Sequence, residues 1–114
     1  MAAKKYVPDA GDIVWLDFDP QAGREQRGHR PAFVISSAGY NQATGLMICC
    51  PMTTRIKGYP FEVETVEGDQ QSVVLADQVK SMDWKSRGVK FKSKANAATL
   101  FEIQNKLKVL LQIT

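Results

Sequence analysis

The feature that most constrains the fold of this chain is a succession of short β-rich runs bounded by glycine, proline, asparagine and aspartate. Only the C-terminus has the spacing of a helix. Many short strands followed by one helix favour a mainly β fold of the α+β kind: a small, strongly curved, partly closed antiparallel barrel with a C-terminal α-helix. The predicted strands are Ile13–Phe18, Pro31–Ser36, Leu46–Met52, Phe61–Thr65, Ser72–Leu75, Ala76–Ser81 and Val89–Lys92.

Three of these strands and one connecting segment carry a more detailed prediction. Ile13–Phe18 is apolar at nearly every position, which is typical of a strand covered on both faces. Pro31 indicates the first position of its strand or a sheet edge. Gly39–Gly45 has turn chemistry, and alternation after Val89 would put Lys90, Lys92 and Lys94 on one face.

The C-terminal helix is predicted from its cap and its apolar stripe. Asn96 is a good N-cap. The apolar residues that follow recur at helical spacing and indicate a core or dimer contact; they are Leu100, Ile103, Leu107, Leu110 and Leu111.

Length and cysteine usage narrow the class of protein. We expect 114 residues to form one domain, 1–114, which would gain stability from dimerising. Cys49 and Cys50 are adjacent in an apolar run, which favours buried free thiols over a disulfide, and with one histidine they cannot supply a structural zinc site. We therefore predict no metal and no cofactor. The lack of a signal peptide or a membrane-length apolar stretch predicts a cytoplasmic location without membrane contact.

Charge is distributed unevenly along the chain. Residues 1–83 carry 8 basic and 11 acidic residues, whereas residues 84–114 carry 7 basic residues and only Glu102 as an acid. This asymmetry indicates an anionic partner such as RNA, DNA or an acidic protein segment, with a merely solvated basic face as the alternative.

One geometric inference concerns Arg30 and Thr53. If the strands after Pro31 and Leu46 form a hairpin centred between Asn41 and Gln42, paired residue numbers sum to 83. Arg30 then faces Thr53, and directly opposed Cβ atoms lie about 5 Å apart.

These residues could perform phosphate chemistry. Arg30 beside Thr53 and Thr54, with Lys57 close in sequence, is a reasonable phosphate clamp. Glu25 and His29 could supply acid–base function, although a solvated arginine, satisfied strand-end hydroxyls and a structural histidine are the plainer alternatives. RNA can be cut without a metal, because its own 2′-OH attacks the adjacent phosphate. Arg30 would then act by electrostatic stabilisation, and its role as a proton donor stays open.

The chain resembles the MazF/PemK family of toxin endoribonucleases over nearly its whole length. No single motif is decisive, but together, in this order and spacing, they are specific. The matching segments are Tyr6–Asp9, Gly11–Asp12, Asp17–Pro20, Glu25–Gln26, Gly28–Ala32, Tyr40–Asn41, Thr44–Gly45, Thr53–Thr54, Lys57–Val63, Ala76–Ser81 and Arg87–Gly88.

The resemblance implies an SH3-like barrel and a homodimer that cuts single-stranded RNA, such as mRNA, at specific sequences, leaving 2′,3′-cyclic phosphate and 5′-OH ends. It also implies a cognate antitoxin with an acidic, flexible tail over the RNA groove. The family's catalytic positions carry over onto Arg30 and Thr53, with Glu25 and His29 near the scissile group. Implied RNA contacts fall on Phe18, Thr54, Lys57 and Gln78; a core role is the alternative for Phe18.

Departures from the family pattern lie in Glu67–Ser72, which could alter sequence preference, and in Lys90–Thr99, which should matter only for stability or the dimer. Two other functions are considered. A gyrase poison on the same barrel would be expected to carry a tryptophan near the C-terminus, which Leu110–Thr114 lacks. A plain RNA-binding barrel would bind with steep salt dependence without cutting.

Overall fold

A seven-stranded antiparallel sheet forms the body of the protein. The structure is a computed structural model and describes residues 5–19 and 28–113. The elements are β1 (Asp12–Asp17), β2 (His29–Val34), α1 (Ala38–Thr44), β3 (Leu46–Thr53), β4 (Glu62–Glu67), β5 (Gln70–Leu75), a 3-10 turn (Ala76–Gln78), β6 (Lys80–Asp83), β7 (Lys90–Lys94) and α2 (Ala97–Leu111).

The long strand β3 curls the sheet. The strand order is β4-β5-β3-β2-β1-β7, and β6 also pairs with β3. The N-terminal half of β3 pairs with β6 through Leu46 to Cys49, while its last residues, Met52 and Thr53, pair with β5. One edge of β3 therefore pairs with two strands in succession while the other edge pairs with β2, and the predicted curved, partly closed antiparallel sheet with a C-terminal helix is confirmed.

Apolar side chains pack on both sides of the curled sheet. Val14 and Leu16 belong to one cluster with Trp84, whereas Ile13 belongs to a second cluster that includes Phe33 and is closed by α2. Successive residues of a strand point to opposite faces. The continuous apolar run of β1 is thus explained by coverage on both faces, as predicted.

The predicted register of β2 and β3 is confirmed, although the connection between them is not a turn. Ala32 pairs with Pro51 and Phe33 with Cys50, so paired numbers sum to 83. Residues 38–44 form a short helix because Ser37 accepts from the Tyr40 N–H and Gly45, at φ +76°, closes the C-terminus onto the Asn41 carbonyl. The helix is centred on the same point as the predicted turn, so the register is kept.

Three other predictions in the sheet are wrong. Ala76–Ser81 is not one strand, since a 3-10 turn occupies its first half before β6 begins. Pro31 is the third residue of a central strand; it is tolerated because the ladder to β3 begins only at Ala32. Lys92 is an extra residue in β7, where the register to β1 shifts between Ile13 and Val14.

That bulge separates the three lysines of β7. Lys94 bonds the Asp12 carboxylate at 3.0 Å, while the Lys92 ammonium lies 5.5 Å from the ring centre of Trp15. Asp12 and Trp15 are three residues apart on β1 and face opposite sides. The lysines therefore do not share one face, contrary to the prediction.

The C-terminal helix forms as predicted, with the Asn96 side chain accepting from the Thr99 N–H at 2.9 Å. Ile103 is fully buried, and Leu100 and Leu107 pack beside it. Leu110 and Leu111 are exposed, however, so only the first half of the predicted stripe contacts the core. No helix in the described part of the chain is long and apolar enough to cross a membrane.

Candidate RNA-binding groove

A groove of about 1180 Å³ runs across the C-terminal end of β3 and the neighbouring strands. Five of the predicted site residues line it: Arg30, Thr53, Thr54, Lys57 and Gln78. They come from β2, from the end of β3 and the loop after it, and from the 3-10 turn. The curl of the sheet thus brings together residues that are up to 48 positions apart in sequence.

Arg30 and Thr53 lie at one rim of the sheet. The β2–β3 ladder, extended two residues beyond Ala32 and Pro51, places them opposite each other. The Arg30 guanidinium donates to the Met52 carbonyl at 3.5 Å, and Arg30 and Thr53 are both half-buried. The Thr53 hydroxyl oxygen accepts from the Arg55 N–H at 3.1 Å, which fixes the start of the loop. A guanidinium and a hydroxyl therefore line the same groove, and these are the groups that a phosphate clamp uses.

His29 lies next to the groove. Its imidazole stacks on the indole of Trp15, with ring centres 5.6 Å apart and an interplanar angle of 10°. Trp15 lines the groove, and the histidine itself is exposed at the start of β2. The imidazole is therefore held in one orientation one residue before Arg30. Glu25 lies outside the described residues.

Phe18 does not lie where the implied RNA contact would place it. Its ring is only 2% exposed, belongs to the core cluster of Val14 and Leu16, and has the Lys80 ammonium 5.8 Å from its centre. A ring with so little free surface cannot accept a stacked base without rearrangement of the core. The alternative, a core aromatic, is the one that the structure supports.

The described lining of the groove carries both signs of charge. Four cations, Arg30, Arg55, Lys57 and Lys92, are accompanied by three carboxylates, Glu62, Glu67 and Asp77. Lys57 and Arg55 are exposed, and neither forms an ion pair with another described residue, whereas Lys92 is paired with Glu67 at 2.9 Å. Phosphate groups are therefore expected to bind near Arg55 and Lys57 rather than beside Lys92.

The loop before β4 is held by carboxylates. Glu62 accepts from the backbone N–H of Lys57 at 3.0 Å and of Gly58 at 2.7 Å. Tyr59 donates its hydroxyl to Asp77 at 2.8 Å; burial, followed by this hydrogen bond and the nearby carboxylates, raises the pKa of Tyr59 to about 12. The tyrosine therefore stays protonated at neutral pH.

Sequence reasoning missed Tyr59 and Trp15 as groove residues. Both were noted only within longer segments, and they line the same groove as Arg30 although they lie 15 and 29 positions from it in sequence. Among residues 5–19 and 28–113, no three His, Cys, Asp or Glu side chains are grouped closely enough to hold a metal ion.

Comparison with known proteins points to one family. The family described as PemK-like, MazF-like toxins of type II toxin–antitoxin systems matches residues 9–111. The chain is 50% identical over 107 residues to the endoribonuclease toxin MazF of Escherichia coli, covering 94% of this chain and 96% of the relative. It is 40% identical over 90 residues to the endoribonuclease toxin ChpB of the same species, covering 74% and 77%.

Solved structures of MazF proteins have the same fold as this chain. The crystal structure of MazF from Deinococcus radiodurans superposes with a TM-score of 0.91 at 53% identity, covering 96% of this chain and all of that one. A MazE–MazF complex from the same organism superposes with a TM-score of 0.85 at 47% identity, with the same coverage.

Proposed function

This chain belongs to the family of PemK-like, MazF-like toxins of type II toxin–antitoxin systems, and on that premise we propose that it is an endoribonuclease that cuts single-stranded RNA in the groove around Arg30 and Thr53. The observation that carries the proposal is that the register of β2 and β3, extended by two residues, puts Arg30 and Thr53 at the same end of the two strands, where both line the groove. Identity of 50% to an endoribonuclease toxin over 94% of the chain supports it.

The proposed reaction is an internal transesterification. The 2′-oxygen of the RNA attacks the adjacent phosphorus, the bond to the 5′-oxygen breaks, and the products are a 2′,3′-cyclic phosphate and a 5′-hydroxyl. One proton leaves the 2′-OH and one arrives at the departing 5′-oxygen. Because the nucleophile belongs to the substrate, the reaction requires neither a metal nor a cofactor.

Each site residue has a proposed role in this reaction. Arg30 stabilises the charge that develops on the phosphorane, and the Thr53 hydroxyl donates to a phosphate oxygen. His29 and Glu25 handle the protons, and the assignment of acid and base between them is left to experiment. Thr54, Lys57 and Gln78 bind the RNA on either side. The domain that carries the activity is proposed to span 1–114, and the cytoplasm is its proposed location because its RNA substrate is there.

The partners follow from the same family membership. We propose a homodimer joined in part through exposed apolar side chains of the C-terminal helix and its end; they are Phe101, Val109, Leu110, Leu111 and Ile113. The cognate antitoxin, analogous to the MazE of the Deinococcus complex, is proposed to bind with an acidic tail in the groove, beside Arg55 and Lys57.

The decisive experiment is to incubate the purified protein with defined single-stranded RNAs in EDTA and to map the fragment ends. Discrete cuts with cyclic-phosphate and 5′-hydroxyl ends are expected, and the cut sites give the recognition motif. Intact RNA across substrates that together contain every triplet would overturn the proposal, and would favour a gyrase poison or a simple RNA-binding barrel.

A further inference from the structure

The groove needs an aromatic surface for a base, and Tyr59 is the residue placed to provide it. Proteins that bind single-stranded nucleic acid commonly combine a cationic track with aromatic rings on which bases stack. Phe18 does not serve, since its ring is in the core. Among the described residues that line the groove, only Trp15 and Tyr59 are aromatic.

The ring of Trp15 already contacts two other side chains. The His29 imidazole stacks on its indole nearly in parallel, and the Lys92 ammonium lies 5.5 Å from the ring centre. Tyr59, in contrast, has no ring or cation partner within the described part of the chain. It is half-buried and lines the groove, so part of its surface faces the groove.

Three features hold Tyr59 in place. The following Pro60 restricts its backbone to extended conformations. Its carbonyl accepts from the Glu62 N–H at 3.1 Å, and its hydroxyl donates to Asp77 at 2.8 Å. A ring that is ordered before the ligand arrives loses little conformational entropy on binding.

The neighbours of Tyr59 suit a nucleotide. Lys57 is exposed two residues earlier and offers a charge for the phosphate, while Gln78 follows Asp77 and offers an amide to the base edge. We propose that Tyr59 is the stacking platform for one unpaired nucleobase of the RNA, next to the Arg30–Thr53 clamp. This inference rests on the proposed function, because it assumes that RNA occupies the groove.

The test measures binding separately from cutting. A fully 2′-O-methylated RNA that contains a mapped cut site cannot be cleaved, because its nucleophile is blocked. Its dissociation constant is measured by fluorescence anisotropy for the wild type and for Tyr59→Ala, Tyr59→Phe and Tyr59→Leu. Loss of one stacked base is worth about 1–3 kcal/mol, so Tyr59→Ala should weaken binding about 5- to 150-fold.

The other variants separate stacking from packing. Tyr59→Phe keeps the π-face and should bind within about threefold of the wild type, whereas Tyr59→Leu keeps apolar bulk without the π-face and should lose most of the affinity. On cleavable RNA, Tyr59→Ala should raise KM more than it lowers kcat. The matched control is Tyr40→Ala, an exposed tyrosine on α1 that does not line the groove, which should bind like the wild type.

Two results would overturn the inference: wild-type affinity in Tyr59→Ala, or equal affinity in Tyr59→Leu and Tyr59→Phe. If Tyr59→Ala does not fold, the comparison of leucine with phenylalanine decides alone. Failure of the wild type to cut RNA in EDTA contradicts the proposed function, whereas intact cutting with an unaffected Tyr59→Leu contradicts only the stacking role.

Discussion

The Arg87 guanidinium donates a hydrogen bond of 2.6 Å to the backbone carbonyl of Asp19, 68 positions earlier in the chain. The same nitrogen also donates to the Asp17 carbonyl at 3.0 Å. Asp19 in turn accepts from the Gly28 N–H through its side chain, and Phe18 N–H donates to the Gly28 carbonyl. Arg87 therefore holds the end of β1 in place through hydrogen bonds. At this point β1 is also hydrogen-bonded to Gly28, directly before His29 and Arg30.

These hydrogen bonds predict a positioning role for Arg87. Arg87→Ala should lower kcat with a smaller change in KM, since a displacement of about 1 Å in a reacting group can cost about 10²-fold in rate. Single-turnover cleavage rates measure the effect, and Arg87→Lys should restore part of it, since the lysine ammonium keeps N–H donors on one nitrogen but loses the planar fork. Lys85→Ala is the control, because Lys85 lies two residues away and contacts the Trp84 ring instead. Unchanged kcat in Arg87→Ala would contradict the role.

Arg30 carries the strongest prediction about chemistry. Arg30→Ala removes the guanidinium beside Thr53 and should reduce kcat by about 10²–10³-fold, the usual cost of one donor to a developing anion. Arg30→Lys keeps the charge but loses the planar fork, so it should recover only part of the rate. Thermal unfolding should change little, because the substitution leaves the backbone pairing of Arg30 with Leu16 intact and the arginine side chain is only half-buried. Normal cleavage by Arg30→Ala would exclude the assigned role.

The sequence predicted the features that depend on local pattern. The β-rich runs, the Asn96 cap and the register of residues 32 and 51 were all accessible, because alternation, cap chemistry and symmetric spacing are visible in a single chain. The juxtaposition of Arg30 with Thr53 followed from that register. Five of the eight predicted site residues line the groove, so this part of the candidate site was predictable before any tertiary contact was known.

The features that were missed depend on contacts distant in sequence. Phe18 is buried among side chains that include Met82 and Trp84, more than 60 positions later, and the bulge at Lys92 is defined only by its pairing with β1. Tyr59 lines the groove and donates its hydroxyl to Asp77, 18 positions later. The helix α1 is a different case: Gly39–Gly45 was predicted as a turn from its two glycines, whereas Ser37 and Gly45 cap a short helix there.

The adjacent cysteines should be unreactive in the folded protein. Both are free and buried, and burial raises the pKa of Cys49 to about 12, an effect that nearby Lys80 and Arg87 only partly offset. Burial likewise raises the pKa of Cys50. At pH 8 the thiolate of Cys49 would be on the order of 10⁻⁴ of the total. A thiol-specific reagent should therefore label neither residue in buffer and both in guanidinium chloride; rapid labelling of the native protein would contradict the buried placement.

The stability of the C-terminal helix should depend on Ile103. It is fully buried in the cluster with Phe33 and Val63. Ile103→Ala should lower the free energy of unfolding by about 2–5 kcal/mol, a large share of the total for a domain of this size. Urea unfolding at fixed protein concentration measures it. Gln104→Ala, one residue later on the exposed side, is the control and should change stability by less than about 0.5 kcal/mol.

Binding of an acidic antitoxin tail should depend on salt because exposed cations of the groove, such as Lys57, attract it. Lys57 is exposed and forms no ion pair with other described residues, so it can bind either an RNA phosphate or a tail carboxylate. The affinity for an acidic tail peptide should fall as salt rises, because exposed charges are screened within about 10 Å at 0.1 M. For RNA, Lys57→Ala should reduce the slope of log affinity against log salt by about one, whereas Lys85→Ala, outside the groove, should leave it unchanged. Peptide affinity that is the same at low and high salt would contradict the hypothesis that the acidic tail binds the same cations as the RNA phosphates.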